Sequence, residues 1–295
     1  MGVESRYAVV EAGRAKIDLE DDFPTLAQGN HVILAIPHAG EYHWLDCTSQ
    51  YLPFGYIGRF TDDRKVFVVT PEGGEIVSTT AYLDGENFQR TQAALSVGED
   101  RSIEAEIHLQ TGGALYDNRF GLEREIEKDI KEFYTHYWDN IGGLLIKEYS
   151  FANDRDKVVF AEEIKLSARN YMSKNGDSYL LAPNAFNNDL DLPSRYRDRK
   201  LPFEVQRGFM EETQTTIDIP PNLRVAELPE RFVEETRFGS YSVEIIKKND
   251  SQLLYKRTFL LKAGEYPKEE YRDFRSFLRT VVQKDKDKIV LIQAP

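Results

Sequence analysis

The chain has 295 residues, 41% of them hydrophobic, with 17 Phe and 16 Tyr. That is enough for two ordinary cores and too apolar for a disordered chain. A net charge of −12 disfavours nonspecific binding to nucleic acid or anionic membrane, whose phosphates it repels. No apolar run is long enough to span a bilayer as a helix, and Cys47, the only cysteine, has no partner in the chain for a disulfide.

Residues 6–11 read as a strand already in progress, carried by Tyr7, Val9 and Val10. An opening inside a sheet is expected of a chain that continues a longer protein, and Met1–Glu4 lacks the basic and apolar stretches of a signal peptide. Residues 12–30 form a turn-rich loop with Asp18, Glu20, Asp21 and Asp22. They lack the spacing and turning glycine of a calcium loop, so a solvated loop is expected. His31–Ile36 is a strong strand run, Pro37-His38-Ala39-Gly40 is turn chemistry, and Glu41–Cys47 is a second strand. Val66–Thr70 and Glu75–Tyr82 continue the strand pattern around a Pro71–Gly74 turn, and a domain boundary is expected between residues 74 and 75.

Beyond it, residues 101–109 alternate, with Ile103, Ala105, Ile107 and Leu109 on one face, as a half-buried antiparallel strand does. A helix is expected over 122–141, with Ile126, Ile130, Phe133, Tyr137 and Ile141 as its stripe and Gly142-Gly143 as its stop. Pro183–Pro193 reads as a loop. Strands are expected at 204–219, 231–238, 240–247, 253–261 and 288–293, with a last helix from Pro267 that buries Tyr271, Phe274, Leu278 and Val281. The fold class is therefore α+β, mostly antiparallel β, with a β-rich, sandwich-like part carrying two helices.

The chemistry-bearing segment is Asn30-His31-Val32-Ile33-Leu34, followed by Trp44-Leu45-Asp46-Cys47-Thr48-Ser49. A four-residue turn at 37–40 sets Ile36 opposite Glu41 and His31 opposite Asp46, on one face and within hydrogen-bond reach. A slip of one residue would separate them to opposite faces. A carboxylate beside an imidazole fixes the tautomer and stabilises the imidazolium, which suits acyl transfer. Cys47 neighbours Asp46 along the strand and is expected to point to the other face, so it is a poor nucleophile for His31. Taken by itself, a His–Asp pair across a hairpin is more often a structural hydrogen bond. Metal binding through His31, His38 and His43 is disfavoured by their spacing, and neither metal nor cofactor is expected.

These motifs resemble the second half of a bacterial transglutaminase-like core. The resemblance rests on Phe23-Pro24, Gln28-Gly29-Asn30-His31-Val32-Ile33, Trp44-Leu45-Asp46-Cys47-Thr48-Ser49-Gln50, Pro53-Phe54-Gly55-Tyr56 and Asp62-Asp63-Arg64. It covers roughly residues 5–70; the rest fits the β-rich domains of unknown function that flank such cores in layout only. The resemblance implies that His31 and Asp46 are the histidine and aspartate of a papain-like Cys-His-Asp triad. It places the family's cysteine upstream, in a Cys-x-Asp context on a helix start that has no counterpart here. Residues 1–74 are then expected to be the C-terminal part of the core and residues 75–295 a β-rich domain.

The implied parent is a cysteine protease or acyltransferase, a periplasmic or secreted hydrolase acting on a peptide or protein, and the chain alone is expected to be inactive. The competing reading is a non-catalytic module that binds peptide or carbohydrate, for which Tyr116, Phe120, Trp138, Tyr179 and Phe186 offer aromatic faces. A further expectation is that Ile33, Ala35, Tyr42 and Trp44 share the dyad's face and leave it exposed, or covered by a second copy.

Overall fold

The computed structural model describes residues 2–23, 25–187 and 190–295; Pro24 of the Phe23-Pro24 motif and positions 188 and 189 of the Pro183–Pro193 loop lie outside the described residues. The first sheet is built from β1 (Arg6–Val10), β2 (His31–His38), β3 (Glu41–Leu45), β4 (Lys65–Thr70) and β5 (Gly73–Ser78), in the order β3-β2-β1-β4-β5, all antiparallel. A four-residue helix, α1 (Gly58–Thr61), precedes β4.

The β2–β3 turn differs from the expected one. It is the two-residue Ala39-Gly40, with φ of 53° and 87°, the left-handed pair that matches the twist of a tight hairpin. Pro37 and His38 instead continue β2, and Ile36 faces His43 rather than Glu41. The register has moved by an even number of residues, so every side chain keeps its expected face.

The exposure expected for that face is not found. Ile33, Ala35 and Trp44 are 1%, 0% and 5% exposed, packed with Ala8, Val10, Val66 and Val68 under Ile57 and Ala12. Each large side chain buried this way contributes about 1.5–3 kcal/mol. The opposite face is the more open one, with Tyr7, Val32 and Val69 exposed. The premise of self-association through the Ile33–Trp44 face therefore fails.

Next in the chain comes an eight-stranded sheet. Its strands are β6 (Phe88–Val97), β7 (Ile103–Gly112), β8 (Leu144–Asp154), β9 (Val159–Ala168), β13 (Phe209–Asp218), β15 (Phe232–Thr236), β16 (Gly239–Lys247) and β17 (Gln252–Leu261), in the order β15-β16-β17-β13-β6-β7-β9-β8. Every pairing is antiparallel except β6–β13. A four-stranded sheet joins β10 (Ser173–Asn175), β11 (Ser178–Leu181), β14 (Leu223–Glu227) and β19 (Ile289–Gln293), and β12 (Phe203–Val205) pairs with β18 (Gly264–Tyr266).

Alternation along the large sheet leaves one face to charged residues, such as the Glu104–Lys147 and Arg90–Glu212 pairs, as expected of a sheet wetted on one side. The other face packs against α2 (Glu127–Tyr137), α3 (Tyr271–Lys284) and the four-stranded sheet.

The helix expected over 122–141 is thus confined to Glu127–Tyr137. Short 3₁₀ turns at Gly113–Asn118 and Phe120–Arg124 lead into it, and Ile126 is its exposed N-cap instead of part of the stripe. Of the aromatic residues considered for a binding face, Tyr116, Trp138 and Phe186 are buried in the core.

Arg64 and Arg207 tie the first sheet to its surrounding loops and to the larger sheet's side of the molecule. Arg64, 1% exposed, donates to the carbonyl oxygens of Glu11, Gly13, Ala15, Arg59 and Asp62, satisfying in one stroke several backbone acceptors of irregular loops. Burial holds its pKa below the usual arginine value. Arg207 reaches across to Asp62, with Nε 3.1 Å from Oδ2, and donates to the Arg59 carbonyl at 2.9 Å.

Candidate active site

Asn30 explains why β2 starts where it does. Its side-chain oxygen accepts the Ala12 N–H at 2.8 Å, and its amide donates to the Ala12 carbonyl and to Glu11. The backbone N–H of Asn30 donates to Val10. The first residue of β2, His31, is thereby pinned beside the end of β1.

Asp46 follows Leu45, the partner of Leu34, and so stands diagonally across from His31 on the shared face. The Nε2 of His31 lies 2.9 Å from Oδ2 of Asp46. The other carboxylate oxygen, Oδ1, accepts the Thr48 N–H at 2.9 Å and the Thr48 hydroxyl at 2.6 Å. Side-chain exposure is 17% for His31 and 3% for Asp46. Burial pushes the Asp46 carboxyl up, but the two Thr48 bonds and the His31 contact outweigh it and hold it below the usual carboxylate range.

An ionised carboxylate only accepts, so the proton between the two groups sits on Nε2 and leaves Nδ1 as the basic nitrogen. The ring is further fixed by Phe60, whose ring meets it edge-on at 5.2 Å and 75°. The role of Thr48 escaped sequence reasoning, although Asp-x-Thr is the spacing of a local side-chain turn and signals it.

Beside the dyad runs a cleft of about 400 Å³ lined by Asp46, Leu52, Phe60, Phe120, Asp117 and Arg14, among others. Asp117 comes from the 3₁₀ turn after β7 and accepts the Arg59 N–H at 2.6 Å. A Cβ at Gly58, where φ is +62°, would stand 2.5 Å from Oδ2 of Asp117, so this approach requires glycine. Burial raises the Asp117 pKa against the opposing pull of the Arg59 N–H. Asp117 was not legible in the sequence, because it lies far along the chain from the dyad.

Cys47 is exposed and free, with no hydrogen bond to His31 among the described residues. No group of three or more His, Cys, Asp or Glu suited to a metal ion occurs among the described residues. Among the described residues no helix is long and apolar enough to cross a membrane.

Residues 177–291 match the family described as a domain of unknown function with solved structure, DUF3858. No curated protein matches the chain. Among solved structures, the chain is similar to one from Parabacteroides distasonis described as a “putative protease”, at 13% identity and a TM-score of 0.46. The similarity covers 99% of this chain and 40% of that one, so the chain spans well under half of that protein's length.

Proposed function

We propose that His31 and Asp46 are the general base and its orienting carboxylate in a thiol acyl-transfer or amide-hydrolysis centre. The carrying observation is the 2.9 Å contact from Nε2 to a carboxylate whose second oxygen is already saturated by Thr48. A structural hydrogen bond needs only one such contact. A catalytic one needs the imidazole held in one tautomer with its other nitrogen free, and the Thr48 clamp supports that reading.

In this mechanism Nδ1 of His31 accepts a thiol proton as the thiolate attacks an amide carbonyl. The imidazolium, balanced by Asp46, then returns the proton to the departing amine. The motif resemblance extends the proposal: the thiol belongs to a Cys-x-Asp upstream of Met1, in a transglutaminase-like or papain-like exported protein whose substrate is a peptide or protein. Cys47 does not fill the role.

The test is amide hydrolysis and transfer by the protein read from the frame upstream of Met1, assayed with a quenched peptide. Substituting an upstream cysteine should abolish turnover, and His31→Ala should lower it by about 10²–10⁴-fold. Unchanged turnover in His31→Ala, or the absence of any upstream Cys-x-Asp, would remove the enzyme reading.

A further inference from the structure

We infer a second site, independent of the dyad: a pocket of about 360 Å³ on the packed face of the large sheet that takes a neutral sugar ring. Its floor is made by neighbouring residues of three strands. Gln89 of β6 stands opposite Thr111 of β7 and beside Glu211 of β13, with Phe209 two residues before Glu211 on the same side. Phe133 and Tyr137 of α2, one turn apart and stacked at 5.8 Å and 9°, form a wall. Phe133 and Tyr137 pack against the larger hydrophobic cluster and Phe209 against the cluster under α3, so the pocket opens on the seam between two cores. Its volume lies in the range of small-molecule sites.

Three observations select the ligand. The charges in the pocket are already answered: Arg119 binds Glu162 through two bonds of 2.8 Å, and Arg257 donates to Glu211 at 2.6 Å. A phosphate, carboxylate or ammonium would find no free counter-charge, which leaves a neutral ligand. The Thr111 hydroxyl, on a residue 1% exposed, has no hydrogen-bond partner among the described residues. A buried hydroxyl left unpaired is costly, and its place in a pocket lining calls for a ligand with hydroxyls or amides of its own.

The walls, by contrast, are the rings of Phe133, Tyr137 and Phe209. A ligand must therefore combine an apolar flat face with a polar edge. A pyranose does both: its axial C–H face lies on an aromatic ring while its equatorial hydroxyls reach Thr111 and Gln89.

The test is a titration of the full chain with methyl β-D-glucopyranoside and with N-acetylglucosamine, following the methyl NMR signals of Thr111 and of Leu115, which also lines the pocket. Saturable shifts in the millimolar range are expected for at least one of them, and none with glucuronate. Thr111→Val keeps the shape and removes the hydroxyl. It should leave the melting temperature unchanged or raised and weaken sugar binding about tenfold. Phe133→Leu, which keeps an apolar side chain but removes the ring, should weaken it as well. Absence of saturable binding by either sugar, or affinity unaltered in Thr111→Val, overturns the assignment. So does a benzyl alcohol complex that tightens in Thr111→Val, since it would mark a purely apolar pocket.

Discussion

Arg119 and Glu162 meet in the core as a two-pronged pair, Nε to Oε1 and Nη2 to Oε2 both at 2.8 Å, with Arg119 3% and Glu162 0% exposed. Tyr134 donates its hydroxyl to the same carboxylate at 2.5 Å, and the guanidinium lies over the rings of Phe133 and Tyr137. Glu162→Leu should cost about 3–5 kcal/mol, because it strands a buried cation. Pairing it with Arg119→Met should cost less than the sum of the two single changes. Urea midpoints of the three variants check this; additive losses would mean that the pair is not the coupled unit the geometry indicates.

The Asp46 carboxyl has a lowered pKa, so its stabilising bonds are fully present above the unfolded carboxylate value of about 3.9 and are lost as pH falls through the folded one. Asp46→Asn should therefore be less stable than the parent at neutral pH, with the gap closing on acidification below about pH 4. The nitrogen-15 NMR spectrum of neutral His31 should show the Nε2–H tautomer in the parent and a mixture in the variant. A gap that widens in acid, or an Nδ1–H ring in the parent, would contradict the assigned hydrogen bond.

Much of this site can be read in the sequence. The alternation of Ile33 and Ala35 with their flanking residues fixes the faces, and these survive because the turn has two residues in place of the expected four, an even change. What cannot be read is the turn itself: Pro37-His38-Ala39-Gly40 offers turn formers at every position, and only the Cα pairing shows that Pro37 stays within β2. Strands β6, β8 and β9 are equally hidden, because segments such as Gln89–Thr91 and Glu162–Glu163 carry polar residues inward or side by side. Their burial is decided by tertiary partners like Arg119, which periodicity does not contain.

Ala39 occupies the left-handed region at φ 53°, where a Cβ is disfavoured by about 1–2 kcal/mol. Asparagine tolerates that conformation and favours two-residue hairpins when glycine comes after it. Ala39→Asn should raise stability by up to about 1 kcal/mol without altering the dyad. Gly40→Val should lower it. A thermal melt of both variants decides the matter; destabilisation by Ala39→Asn would argue against the tight turn.

Cys47 is exposed and makes no bond to His31, so it should behave as an ordinary surface thiol. Its alkylation rate should be the same in His31→Ala as in the parent. A rate already high at neutral pH that collapses in His31→Ala would instead make Cys47 the nucleophile and overturn the proposed mechanism.

The one parallel pairing of the large sheet among the described residues sets the order in which this chain can fold. β6 and β13 run side by side from Met210↔Phe88 to Asp218↔Ser96, joining segments separated by more than a hundred residues. Hairpins such as β6–β7, β8–β9 and β16–β17 close locally, but the two groups of strands become one sheet only when that distant pair zips. Loop closure of this length is slow, and its transition state carries the entropy of the whole intervening chain. Until then β6 and β13 both present open edges, each a template for a neighbouring molecule. During synthesis the two groups cannot join before β13 has emerged, and the sheet is completed only with β17 at Leu261, an interval in which the open edges invite misassembly.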